Sequence, residues 1–126
     1  MLFRSNDVLY LAANSSGYWY AGLRIGGGSY QETSLSAAPT IYGIPQHLMA
    51  VYDPTASPTL KLYVDGILAT SAAASGTLAT MTRVTAANLG AVGAYSAKCH
   101  IRDIRVSNIA RSASYALSSA NALLAL

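Results

Sequence analysis

Two periods run along this 126-residue chain, and they divide it unequally. Most of the length alternates apolar with polar positions, the period of two that marks strands, and only the last fifteen or so residues space their apolar side chains like a helix. The clearest alternation is at 47–53. Leu48, Ala50 and Tyr52 point one way, and His47, Met49, Val51 and Asp53 the other. Pro54 and Pro58 bracket a polar turn, where a locked φ and a missing N–H stop a ladder. Residues 60–64 alternate again, with Leu60, Leu62 and Val64 on one face and Lys61 and Tyr63 on the other. Asp65-Gly66 suits a two-residue type I′ turn, in which both positions need positive φ, and 67–70 is the returning strand. The stretch predicts a meander of three antiparallel strands.

The N-terminal part reads similarly. Residues 8–13 are apolar enough for a buried strand, and Asn14-Ser15-Ser16-Gly17 is a turn cluster. In 18–25 the set Trp19, Ala21, Leu23, Ile25 marks the core side, with Trp19 as its expected anchor. Tyr18, Tyr20, Gly22 and Arg24 form the wetter face. Gly26-Gly27-Gly28 lacks the spacing of a phosphate loop and has no helix after it, so it reads as a hairpin loop. Residues 29–35 are expected to return as a strand, with 36–44 leading to the meander. Further strands are expected at 77–84, 88–95 and 99–107, the last with a β-bulge near Arg102-Asp103. From Ser112, a predicted N-cap, the apolar stripe Ala113, Ala116, Leu117, Ala120, Leu124 predicts a helix over 112–124. A helix so short needs a surface, its own domain or a neighbouring subunit, and the absence of charge favours the neighbour.

Strand, polar turn, Leu60-Lys61-Leu62-Tyr63-Val64-Asp65-Gly66 and a small-residue loop together resemble the central meander of the concanavalin A-like (laminin-G-like) jelly-roll family. Leu89-Gly90-Ala91-Val92-Gly93-Ala94-Tyr95, followed by Ile101-Arg102-Asp103-Ile104-Arg105-Val106-Ser107-Asn108, is similar to that family's closing hairpin. The resemblance covers the second half of the chain. It implies an all-β fold, an antiparallel β-sandwich of jelly-roll type with a short C-terminal helix, as one domain over 1–126. Where the family opens its terminal turn with Asn-Arg-Ala-Leu-Ser and then Glu, this chain has Asn108-Ile109-Ala110-Arg111-Ser112, with Tyr115 in the place of the Glu. The fold hosts lectins, glycosidases and inert structural modules, so the residues have to separate these.

Composition narrows the options. Charged residues are 10% of the chain, against a usual share of about 25%. So little surface charge suggests a surface partly covered by other copies or other proteins. The net charge of +3 is spread thinly rather than in a basic stripe, which argues against nucleic acid as a partner. The apolar run near the N-terminus is broken by Arg4, Asn6 and Asp7 and is not expected to be a signal peptide or a membrane span. The single cysteine, Cys99, rules out an internal disulfide and reads as a small apolar filler.

Catalytic chemistry is sparse. Retaining glycosidases of this fold use glutamates close together on one strand, and this chain has one glutamate, Glu32. Asp7, Asp53, Asp65 and Asp103 sit in separate elements, and no serine stands in a Gly-x-Ser-x-Gly elbow. No catalytic residue is therefore assigned. The resemblance offers a calcium site built on isolated aspartates and carbonyls, for which Asp53 is the weak candidate; capping of its own turn is favoured, and no cofactor is expected. His47 and His100 read as strand-face residues rather than zinc ligands.

Binding is what remains. Tyr18, Tyr20, Tyr30 and Tyr42, with Arg24 beside them, are the candidate ligand-binding residues, since tyrosine joins an apolar body to a polar tip. The expected role is a non-catalytic binding or assembly module with protein partners, such as the capsid decoration or tail-associated component of a phage virion. The alternative is a carbohydrate-binding, lectin-like domain of a secreted or cell-surface protein.

Overall fold

The computed structural model describes residues 8–25, 29–34, 38–41, 43–77, 103 and 105–125. Among them run β1 (Val8–Ala13), β2 (Trp19–Arg24), β3 (Gln31–Glu32), β4 (Leu48–Tyr52), β5 (Leu60–Val64), β6 (Ile67–Ala72) and α1 (Ala113–Leu124). The strands form two antiparallel sheets, in the orders β1-β2-β3 and β4-β5-β6. The expected strand at 77–84 beyond its first residue, the expected strand at 88–95, the glycine loop 26–28, Cys99, His100 and the bulge near Arg102 lie outside the described residues. The described end of the expected strand 99–107, residues 105–107, carries no strand; Arg105 instead pairs locally with Asp103 at 2.9 Å, and Ser107 bonds the backbone of Ile109.

The sheets face each other across one core. Ala21 and Leu23 of β2 meet Leu60 and Leu62 of β5, with Ala38 and Ala74 filling in from the connections. Leu9, Ala50, Tyr52 and Val64 pack round them, so the faces are those that the alternation predicts. Burying a leucine such as Leu23, Leu60 or Leu62 contributes about 1.5–3 kcal/mol. Trp19 departs from its expected place. It packs against the core but is only half-buried, because its indole N–H reaches outward to Gln46 Oε1 at 2.9 Å. An indole donor requires a partner, and that requirement holds the ring at the margin.

The Asp65-Gly66 turn has φ of 52° and 80°, both positive as a type I′ turn demands, and Val64 pairs with Ile67 across it. A register shift follows between Leu62 and Tyr63. β3 is shorter than the predicted 29–35. Its ladder stops at Glu32 because the Thr33 hydroxyl, not a backbone carbonyl, accepts the N–H of Ala21 (3.1 Å).

In the second sheet, β4 and β5 are covered on both sides. Val51 and Tyr63, on the face away from the sandwich core, are covered by Ala116 of α1. Ser112 caps the helix by accepting the N–H of Tyr115. The seat of α1 is therefore its own sheet, not the neighbouring subunit that low charge favoured. The stripe is also rotated: Ala116 and Ala120 are fully buried, while Leu117 and Leu124 are 48% and 42% exposed. Small side chains let the helix backbone sit close, and a Cβ on Gly66 would lie 2.7 Å from Cα of Leu117.

Side chains form one seam after β6, first within its own sheet and then across to the other. Thr59 Oγ1 bonds both the N–H and the carbonyl of Ala74, at 2.7 and 2.6 Å. One residue on, the Gln31 amide does the same to Ser75, at 2.7 and 2.9 Å.

Candidate functional site: a tyrosine-lined sheet face

The outer face of the β1-β2-β3 sheet is built around a glycine. Register sets Tyr10 of β1 opposite Gly22 of β2, and Gly22 opposite Glu32 of β3. With no side chain at Gly22, the Tyr10 ring lies across it, in the space a Cβ would fill, and its hydroxyl donates to Glu32 Oε1. Tyr20 and Tyr30 lie to either side. Their ring centroids stand 6.0 and 5.9 Å from that of Tyr10, at 89° and 82° to its plane. Such edge-to-face contacts are favoured by the ring quadrupole. The Arg24 guanidinium sits 5.1 Å from the Tyr30 ring centre.

Partial burial pushes the Tyr10 phenol far above its ordinary value, and the Glu32 carboxylate that accepts its proton adds to the effect. Tyr20 is raised in the same direction, first by burial and then by the charge of Glu32. Both phenols stay neutral donors over any physiological range. The face is only partly covered, and Tyr30 is 58% exposed.

Of the residues that the sequence singles out, the structure brings Tyr20, Tyr30 and Arg24 together. Tyr18 stands apart, next to an isolated bridge to Pro39, with its N–H held by Asn14 Oδ1 at 2.9 Å. Tyr42 lies outside the described residues. Tyr10 and Glu32 complete the group and were not singled out as binding residues. A signal existed: a glycine inside a strand marks close approach, and a short turn at 14–17 sets Tyr10 opposite it.

Asp53 follows β4 and accepts both the N–H (2.9 Å) and the hydroxyl (2.6 Å) of Thr55 on one oxygen. The Thr55 hydroxyl is the main cause that lowers its pKa. That is the geometry of a side chain capping its own turn. Among the described residues no three His, Cys, Asp or Glu side chains gather as metal ligands. His47 immediately precedes β4, with its N–H on Asp65 Oδ1 (2.7 Å), and its ring Nδ1 is buried with no partner among the described residues.

Two stacked antiparallel sheets with this meander agree with one comparison to known proteins. The family model Laminin_G_3, described as the concanavalin A-like lectin/glucanases superfamily, matches residues 1–115. The chain belongs to that superfamily. The match takes in both described sheets and stops in the first turn of α1, so most of the helix lies beyond it. No match was found among curated proteins or among solved structures. Membership of the superfamily sets the fold and assigns no site.

Proposed function

We propose that this chain is a non-catalytic binding and assembly module whose contact surface is the tyrosine face of the β1-β2-β3 sheet. The observation that carries the reading is the order of that face. Tyr10, Tyr20 and Tyr30 are fixed against one another and against Glu32, yet Tyr30 remains largely exposed. Rigid aromatic side chains with polar tips lose little entropy on contact, which suits them to interfaces. A particle subunit, such as a phage capsid decoration or tail-associated protein acting in the virion, is the version that the low charge supports. Catalysis is disfavoured. Glu32 is tied to Tyr10, and Asp53, Asp65 and Asp103 belong to the β4-β5-β6 side of the chain or to the segment before α1.

One observation favours a second reading. Tyr10 with Tyr20 and Tyr30 on its flanks forms a shallow trough of a kind on which a sugar ring stacks, so a lectin-like role in a secreted or cell-surface protein is the alternative.

Light scattering of the purified chain and of a Tyr10→Ala/Tyr20→Ala variant tests the first reading, and a glycan array tests the second. Assembly lost in the variant, with its β-type circular dichroism kept, supports the first. A monomer at every concentration that also ignores all glycans overturns both. Release of reducing sugar from a polysaccharide, abolished by Glu32→Gln, overturns the non-catalytic assignment.

A further inference from the structure

The tyrosine face has a more specific chemistry than a generic contact. The register places Tyr20 and Tyr30 on opposite sides of Tyr10, so the three rings make a floor and two walls. The floor is electron-rich, because the Tyr10 hydroxyl donates to a carboxylate and its oxygen thereby gains negative character. The Glu32 charge lies at the same edge. Aromatic faces with a nearby carboxylate attract a cation whose charge is spread over a weakly hydrated surface. A primary ammonium keeps its water and asks for lone pairs; a trimethylammonium group asks for ring faces. The Tyr30 ring already carries one such cation, the planar and weakly hydrated guanidinium of Arg24. Arg24 stands beside Tyr30 at the edge of the same group, and its fork suits phosphate oxygens.

We propose that this face binds a quaternary ammonium zwitterion of the phosphocholine type, with the ammonium between Tyr10, Tyr20 and Tyr30 and the phosphate towards Arg24. The proposal rests on the reading that this face is the contact surface, and it names the ligand. Gly22 is then a positioning residue: any side chain there lifts Tyr10 from the floor.

The test is a titration of the full chain with phosphocholine, choline and phosphoethanolamine, followed by tyrosine fluorescence and calorimetry. Saturable binding of phosphocholine, with phosphoethanolamine weaker by about tenfold, is expected. Tyr20→Ala is expected to weaken phosphocholine by about tenfold, and Tyr20→Phe, which keeps the ring, to retain it. Arg24→Gln is expected to weaken phosphocholine and leave choline unchanged. Equal binding of phosphoethanolamine, no saturable response, or a natively folded Tyr20→Ala that binds as well as the parent would each overturn the proposal. Sedimentation with phosphatidylcholine vesicles without any response to the free headgroup would overturn it too. Loss of assembly in the Tyr10→Ala/Tyr20→Ala variant without any headgroup binding would leave the contact surface standing and remove only this ligand.

Discussion

The two sheets share one core and treat their outer faces in opposite ways. On the β4-β5-β6 sheet the outer face carries Met49, Val51 and Tyr63, and α1 closes it with Ala116. On the β1-β2-β3 sheet it carries Tyr10, Tyr20, Tyr30, Arg24 and Glu32, held in place by one another. An apolar face demands a cover, and this chain supplies one from its own C-terminal region. On the tyrosine face the Tyr10 hydroxyl is satisfied by Glu32, and Tyr30 stays largely exposed. The difference separates a surface used for stability from one available for recognition.

Gly66→Val should break the closed side most severely. A β-branched residue at φ +80° is strained, and its Cβ would strike the backbone of α1. A loss of about 3 kcal/mol or more in a denaturant melt is expected. A variant as stable as the parent would mean that α1 is not seated on that turn. Ala116→Leu comes next, overfilling the space over Tyr63 at a cost of about 1–3 kcal/mol. Leu117→Ser, on the exposed side of the same helix, should change the melt by less than about 1 kcal/mol. Equal effects of these two changes would contradict the rotated stripe.

Gly22→Ala should show the contrasting behaviour of the tyrosine face. The new Cβ meets only the far end of Tyr10, a side chain that can swing away, so the cost should stay near 1 kcal/mol. The expected readout is an ultraviolet pH titration in which one phenol moves back down towards its ordinary value. An unaltered titration would deny that Tyr10 lies over Gly22. The smallest effect concerns His47. Burial lowers its pKa, with Asp65 pulling the other way and Arg105 adding to the depression. The unfolded chain therefore takes up the proton first. Stability present above about pH 6.5 should decline as pH falls through that value towards the lower folded one. His47→Gln should flatten this acid limb of a pH series of melts, and an unchanged limb would assign it to other groups.

The meander was legible because Leu60, Leu62 and Val64 alternate without interruption and Asp65-Gly66 admits few turns besides the one it forms. The facing of β2 was legible for the same reason. What misled was the helix. Ala113, Leu117 and Leu124 fit a helical stripe as well as Ala116 and Ala120 do, and periodicity alone gives no weight to backbone proximity. Close seating against Gly66 and Tyr63 selects the smallest side chains for the contact and turns Leu117 and Leu124 outwards. Tyr18 was grouped with Tyr20 by strand parity, but parity sets a side and not a neighbour. The neighbour of Tyr20 came from another strand, Tyr10, through a register that no single-strand pattern contains.

The seam at Ala74 and Ser75 has a consequence for exchange with solvent. Neither residue belongs to a strand, so their amides would ordinarily be expected to swap hydrogen for deuterium quickly. Each N–H is instead held by a side chain, Thr59 from the β4-β5-β6 half and Gln31 from the other. Both amides should be protected, Ala74 by a bond within the β4-β5-β6 half and Ser75 by one that reaches across to the other sheet. Gln31→Ala would speed exchange at Ser75 and leave Ala74 slow, so that two adjacent amides could tell separation of the sheets from loosening within one of them.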